Sequence, residues 1–305
     1  VKQKLQAGST PGLQFFAIYL LFKGKKLMAK LACMTLPYAE YSFERSLEGI
    51  ASAGYKFVSF GLWHEGVDVP DEENKNAVAE LKTLFARYNL TPSQIIANKQ
   101  FAPGEPIERA VQRIQLAQEL GVREILTVGE SRHGDISDEE FAPKHRAFVE
   151  QYQRIAEAAK SYDVTLTIKP HTGNTATAKD VMQTLREIGA PNVLGCYDPG
   201  NVQFYEGVNA AQDFPQMAQK CFSIIAKDHR GAQNNLDFPI PGTGDVDFVE
   251  IFSDWKNAGA ISDNANVVIE RVDGPTNDAK VIDERMRAAR ESIAALMQQS
   301  GLSVE

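Results

Sequence analysis

Thr165-Leu-Thr-Ile-Lys-Pro-His171 and Val193-Leu-Gly-Cys-Tyr-Asp-Pro-Gly-Asn201 decide how this chain folds. Each opens as a short apolar run and ends abruptly in polar residues, with a helical stretch near Lys179–Ile188 between them. A strand has a side-chain period of two, so Leu166 and Ile168 share one face while Thr165, Thr167, Lys169 and His171 share the other. Strand, helix and strand in that order is the signature of a parallel sheet.

The same unit recurs along the chain. Strands are predicted at Lys30–Leu36, Lys56–Leu62, Ser93–Ala97, Glu124–Val128, Thr165–Lys169, Val193–Tyr197, Phe222–Lys227 and Val267–Glu270. Helices follow at Ser42–Ala53, Asn74–Tyr88, Pro106–Leu120, Ala142–Ser161, Lys179–Ile188, Ala210–Lys220, Phe248–Ala258 and Ala279–Gln299. Ser42 is suited to an N-cap, Gly54 to a stop, and Pro106 to a first helical turn. Eight strands alternating with eight helices point to the α/β class and a single (β/α)8 TIM barrel over residues 28–305. An open doubly wound sheet is disfavoured, because no glycine-rich phosphate fingerprint follows the first strand.

Residues 1–27 carry five lysines and no acidic residue. Their apolar stretch, Leu13 to Phe22, is too short to span a bilayer. This segment is expected to be an N-terminal extension outside the barrel, an interfacial or targeting segment being the alternative.

Composition narrows the function classes. The chain has 305 residues and a formal net charge of -8, with 43% hydrophobic and 24% charged residues. Such a balance argues against disorder and against a general nucleic-acid or membrane surface. Cys33, Cys196 and Cys221 lie in apolar runs without metal-ligand spacing, which suggests reduced core thiols and a cytoplasmic protein. The expected partner is a small molecule, with room for a homo-oligomer.

In a barrel, the chemistry sits where strands end. Parity aims Lys169 inward, and His171 shares that parity. Asp198 follows Leu194 and Cys196 inward, while Asp-Pro-Gly-Asn is also a turn sequence able to present Asp198 and Asn201 together. On the seventh strand, Ser223-Ile-Ile-Ala-Lys-Asp-His-Arg230, Lys227 shares parity with Ile225. Lys227, Asp228 and His229 read either as substrate contacts or as surface pairs. Glu270 closes an apolar run, where an acid is costly unless paired, and is the strongest single site residue. His64 and Glu130 are weaker rim candidates, Arg230 and Arg271 are candidates for an anionic group, and Asp247 is better suited to cap a helix through its spacing to Glu250.

Several motifs together carry a family resemblance: Ser46-Leu-Glu-Gly-Ile-Ala-Ser-Ala-Gly54, Tyr197-Asp-Pro-Gly-Asn201, Ala226-Lys-Asp228, Pro241-Gly-Thr-Gly-Asp-Val-Asp-Phe248 and Ile269-Glu270. From Met28 on, the chain resembles the sugar phosphate isomerase/epimerase group of xylose isomerase-like barrels. That resemblance implies one divalent cation held by a glutamate, an aspartate, a histidine and a glutamate on strands five to eight, with the glutamates also moving protons. Asp198 and Glu270 match two of these positions. Lys169 stands at the strand-five position, Ile225 at the strand-seven position, and Asn201 where the group has a histidine.

Two readings follow from this departure. Lys169 replaces the cation and acts with Glu270 in metal-free catalysis, or His171, Asp198 and Glu270 hold one divalent Mn, Mg, Zn or Fe ion. The implied function is a sugar, sugar phosphate or keto-sugar isomerase or epimerase working by proton transfer next to a carbonyl. The alternatives are a lyase or hydratase on a keto-sugar and a non-catalytic sugar-binding barrel. A DNA-repair role on this fold is disfavoured by the negative charge and the five scattered histidines.

Overall fold

In the computed structural model, which describes residues 27–132, 134, 136–274 and 276–305, the sheet closes on itself. Its strands are β1 (Met28–Met34), β2 (Phe57–Phe60), β3 (Thr91–Ile96), β4 (Glu124–Val128), β5 (Thr165–Lys169), β6 (Val193–Tyr197), β7 (Cys221–Ala226) and β8 (Asn266–Ile269). Each pairs in parallel with the next, and β8 returns to β1 with Lys30 opposite Asn266 and Cys33 opposite Ile269. This is the single (β/α)8 TIM barrel expected from the alternation. A short final strand, Ser303–Val304, lies beside the start of β1. The expected extension over residues 1–27 falls almost wholly outside the described residues.

The helices around the barrel are α1 (Phe43–Ser52), α2 (Ala77–Arg87), α3 (Ile107–Glu119), α4 (Asp138–Ala159), α5 (Ala178–Ile188), α6 (Phe248–Asn257) and α7 (Ala279–Gln299). Local chemistry sets their ends. Ser42 accepts the Arg45 amide, Asp247 accepts the Glu250 amide, and Ser137 and Glu140 form a reciprocal capping box at α4. The regular helix expected over Ala210–Lys220 is broken instead into a helical turn, Ala210–Asp213, and two 3-10 turns. Pro215 lacks the amide that would continue the helix. Among the described residues, no helix is long and apolar enough to cross a membrane.

Period-two alternation divides the core. Leu166, Ile168, Ile224 and Val267 face the helices and join the large outer core. Met34, Ile96, Leu126, Cys196, Ile225 and Val268 fill the middle of the lumen. Beneath them, Thr167 and Ser223 on β5 and β7 and Asn266 on β8 surround the buried carboxylate of Glu124. Above them, at the strands' C-terminal ends, the lumen turns charged. All three cysteines are buried thiols, free of disulfides.

Candidate active site

The four charged side chains at the top of β5–β8 form a closed ring. Lys169 Nζ is 2.9 Å from Asp198 Oδ2, and Lys227 Nζ lies 3.0 Å from the same oxygen. Lys227 Nζ also donates to Glu270 Oε1 at 2.9 Å, and Lys169 Nζ donates to Glu270 Oε2. All four side chains are buried, so each charge has exchanged water for two opposite charges. The parity argument therefore holds in space, since Lys169, Asp198 and Glu270 meet inside the barrel mouth. Lys227 belongs with them as an equal member, not as a surface pair.

The ring sets the protonation of its members. Burial alone would raise the Glu270 carboxyl, but the ammoniums of Lys169 and Lys227 outweigh it and hold the group well below the usual carboxylate range. Burial likewise works against the Lys169 ammonium, yet the charges of Asp198 and Glu270 raise its pKa above the ordinary lysine value. The two lysines and the two acids thus share one buried layer.

The turn Asp198-Pro-Gly-Asn201 fixes this geometry. Asp198 Oδ1 accepts the Asn201 amide at 3.0 Å, so the ring carboxylate is also a helix-turn cap. Asn201 donates from Nδ2 to the Pro170 carbonyl at 2.8 Å and accepts Lys227 Nζ at 2.6 Å, tying three neighbouring strand ends together. Gly200 is required by a close approach: a Cβ there would stand 2.7 Å from the Lys227 carbonyl oxygen.

Above the ring opens a cavity of about 320 Å³, in the range of small-molecule sites. Lys169, Lys227, Glu270, Asn201, His171 and Arg271 line one side. His171 Nε2 lies 3.1 Å from the Tyr205 hydroxyl, with the two rings 4.5 Å apart. The Arg271 guanidinium sits over the Phe238 ring at 4.9 Å.

Other sequence candidates lie elsewhere. His64 is buried away from the cavity, its Nδ1 donating to the Tyr38 and Tyr41 carbonyls, and burial lowers its pKa. Asp228 points outward from β7 and accepts the amides of His229, Gly242, Gly244 and Val246, pinning the loop over residues 229–247. His229 donates from Nε2 to the Asn235 carbonyl at 2.8 Å inside that loop. Glu130 offers its backbone carbonyl to the Asn174 amide and does not line the cavity. Arg230 donates to the Thr243 carbonyl at 2.7 Å and also serves the loop. These four site candidates, His64, Asp228, His229 and Glu130, are correctly polar and strand-terminal, but distant backbone groups take up three of them.

The donors present do not fit a divalent cation. Both oxygens of Asp198 and of Glu270 already accept from lysine or from a backbone amide. A metal would place further positive charge beside two fixed ammoniums. The expected trio of His171, Asp198 and Glu270 is not assembled as a ligand set, and no group of three or more His, Cys, Asp or Glu positioned for a metal occurs among the described residues. Ile225 lies opposite Val268, one layer below the ring, and Lys227 is what β7 contributes at the level of Glu270.

Sequence reasoning passed over the aromatic part of the cavity. Phe204 and Tyr205 lie in a five-residue π-helical turn, Val202–Glu206, after β6. Trp63 stands on a two-strand hairpin, Trp63–His64 with Val67–Asp68, just beyond β2. Their position shortly after strand ends was the available signal.

A barrel with a charged ring under a cavity at the C-terminal ends of its strands is an enzyme-type scaffold. The chain belongs to the xylose isomerase-like TIM barrel family, whose profile matches residues 47–299. No curated protein matches it in sequence. Among solved structures it is similar to a xylose isomerase domain protein from Alicyclobacillus acidocaldarius subsp. acidocaldarius, with a TM-score of 0.71 at 18% identity, covering 90% of this chain and 99% of that one. It is also similar to D-psicose 3-epimerase from Clostridium cellulolyticum H10, solved with D-tagatose, with a TM-score of 0.67 at 15% identity over 88% of this chain and 99% of that one. The IolI protein, solved with a bound zinc atom, gives a TM-score of 0.68 at 18% identity over 88% and 98%. At these identities the likeness is one of fold.

Proposed function

We propose that this chain is a sugar isomerase or epimerase that moves a proton next to a carbonyl, using Lys169 and Lys227 as its fixed positive charge. The observation that carries this reading is the ring of four ion pairs open to the cavity on one side. Sugar 3-epimerases and isomerase-domain proteins among the structural neighbours support the reaction class.

The chemistry needs negative charge stabilised on an oxygen while a neighbouring carbon gives up its proton. Ammoniums already held by Asp198 and Glu270 are preorganised donors, so they stabilise an enediolate oxygen with little reorganisation. Proton acceptance falls to Glu270 and His171. Glu270 is ionised but weakly basic while both lysines bond to it. When a substrate oxygen takes over those ammonium hydrogen bonds, the carboxylate regains basicity and accepts the carbon-bound proton. His171, paired with the Tyr205 hydroxyl, is the second proton-carrying group facing the cavity. In this reading no divalent ion takes part, because lysines hold the oxygens that would ligate it.

Solvent-deuterium exchange tests the proposal. The protein incubated in D2O with a panel of ketoses, aldoses and keto-sugars should place deuterium on the carbon beside the carbonyl, before and after chelator treatment alike. No exchange across the panel sinks the reading, and a product lighter or heavier by one water marks a lyase or hydratase instead.

A further inference from the structure

The two sides of the cavity are chemically unlike. From β5–β8 come the two lysines, Glu270 and Arg271, with Phe204, Tyr205 and Phe238, whereas from β1–β4 come Met34, Leu36, Leu62, Ile96 and Leu126, with Asn98 and Thr127 as polar side chains and no charged group. A free sugar carries hydroxyls around its whole ring, and those turned to the β1–β4 side would find only Asn98 and Thr127 as polar side-chain partners among predominantly apolar neighbours. Apolar side chains stand at the rim on both sides. Trp63 and Leu236 line the cavity from separate loops and are 44% and 82% exposed, two of the four exposed large hydrophobic side chains among the described residues.

Charge points the same way. A phosphoryl group would meet two ammoniums already neutralised by Asp198 and Glu270, leaving only Arg271, which lies against the Phe238 ring. Phosphate sites use several uncommitted donors. Aromatic and aliphatic side chains standing at a mouth suit an apolar group that reaches outward from the sugar.

We propose that the substrate is a keto-glycoside: a glycosidically linked monosaccharide whose carbonyl, on a ring carbon, is set against the lysine ring, bearing an aromatic aglycone that lies along the apolar wall and passes between Trp63 and Leu236. The sugar end rests on the function proposed above, and the aglycone end rests on the apolar wall alone.

Binding without turnover separates the two. Trp63 and Trp255 are the chain's only tryptophans, and Trp255 is fully buried, so quenching of exposed tryptophan fluorescence reports on Trp63. The full chain is titrated with phenyl and methyl glucopyranosides, phenyl and methyl galactopyranosides, a disaccharide and glucose 6-phosphate, with calorimetry as the second readout. At least one phenyl glycoside should bind tenfold or more tightly than its methyl counterpart and quench Trp63. Trp63→Ala and, separately, Leu236→Asp should bring it down to the methyl glycoside's affinity. Both positions are exposed, so neither variant threatens folding.

The inference is overturned if no phenyl member outbinds its methyl counterpart, if glucose 6-phosphate binds tightest, or if the disaccharide equals the phenyl glycosides. Phenyl glycosides carry no carbonyl and so report binding alone; their selective binding, combined with no carbon–deuterium exchange across the panel of ketoses, aldoses and keto-sugars, would leave this inference standing and remove the isomerase reading.

Discussion

Glu270 and Glu124 are both buried carboxylates in the same lumen, and they are solvated in opposite ways. Glu270 takes its hydrogen bonds from two ammoniums, and its pKa falls. Glu124 takes its bonds from neutral groups, the hydroxyls of Ser223 and Thr167 and the amide of Asn266, and burial raises its pKa despite them. Dipoles satisfy hydrogen-bond valence but do not replace the solvation of a full charge, whereas opposite charges do. The top of the barrel is therefore built to keep ions, and the floor is built to tolerate a neutral acid. Only the ionic end faces the cavity.

Removing a lysine from the ring should have the largest effect. Lys169→Met leaves Asp198 and Glu270 with a single ammonium between them, and breaking a buried pair in this way costs about 3–5 kcal/mol. On the proposed reaction it also deletes a donor to the developing oxyanion, a loss of about 10²–10³-fold in rate. Urea denaturation and deuterium exchange should show both losses, in Lys227→Met as well. A variant that keeps its stability and its exchange rate would dissolve the contrast between the two carboxylates.

The ring also predicts a flat pH window. Glu270 has a folded pKa below its unfolded value, so its stabilisation is present above the ordinary carboxylate range and lost as pH falls through the folded value. Lys169 has a folded pKa above its unfolded value, so its share is present below about pH 10 and lost as pH rises through the folded value. The stability difference between the wild type and Lys169→Met should hold constant from about pH 5 to about pH 9.5. A slope within that window would mean that a ring member titrates there.

Much of this was readable before any coordinates. Strand parity placed Lys169, Asp198 and Glu270 inside because a period of two on a closed sheet admits only two faces. Lys227 had the same parity, but adjacency to Asp228 made a solvated pair an equal reading. The two in fact point to opposite faces, Lys227 to the ring and Asp228 to four loop amides. His64 and His229 were out of reach for a different reason. Their partners are carbonyls of Tyr38, Tyr41 and Asn235, set by how loops fold back, and no local pattern encodes that. The broken connection between β6 and β7 was foreshadowed by Pro215, whose missing amide outweighs the apolar periodicity around it.

A charge-balanced pair of substitutions sharpens the comparison at smaller cost. Lys227→Met with Glu270→Gln leaves Lys169 and Asp198 as one intact pair. The double variant should be more stable than the sum of the single losses predicts, with a coupling of about 0.5–3 kcal/mol in a double-mutant cycle. Strict additivity would show that the four ion pairs do not act together.

The smallest effect is expected at the floor. Glu124 has a folded pKa above its unfolded value, so its favourable share is present below the ordinary carboxylate range and lost as pH rises through the folded value. Glu124→Gln is neutral at every pH and keeps the shape, so it should remove that slope. Near neutral pH it should shift stability by about 1 kcal/mol or less, because an amide can exchange hydrogen bonds with Ser223 and Thr167. Deuterium exchange into substrate should be unchanged, since Glu124 lies below the apolar middle of the lumen and does not line the cavity. Stability curves of the two proteins from pH 4 to pH 9 would decide it. Parallel curves would mean that Glu124 is not held as an acid by burial, and a collapse in exchange would mean that the floor is electrically connected to the ring above it.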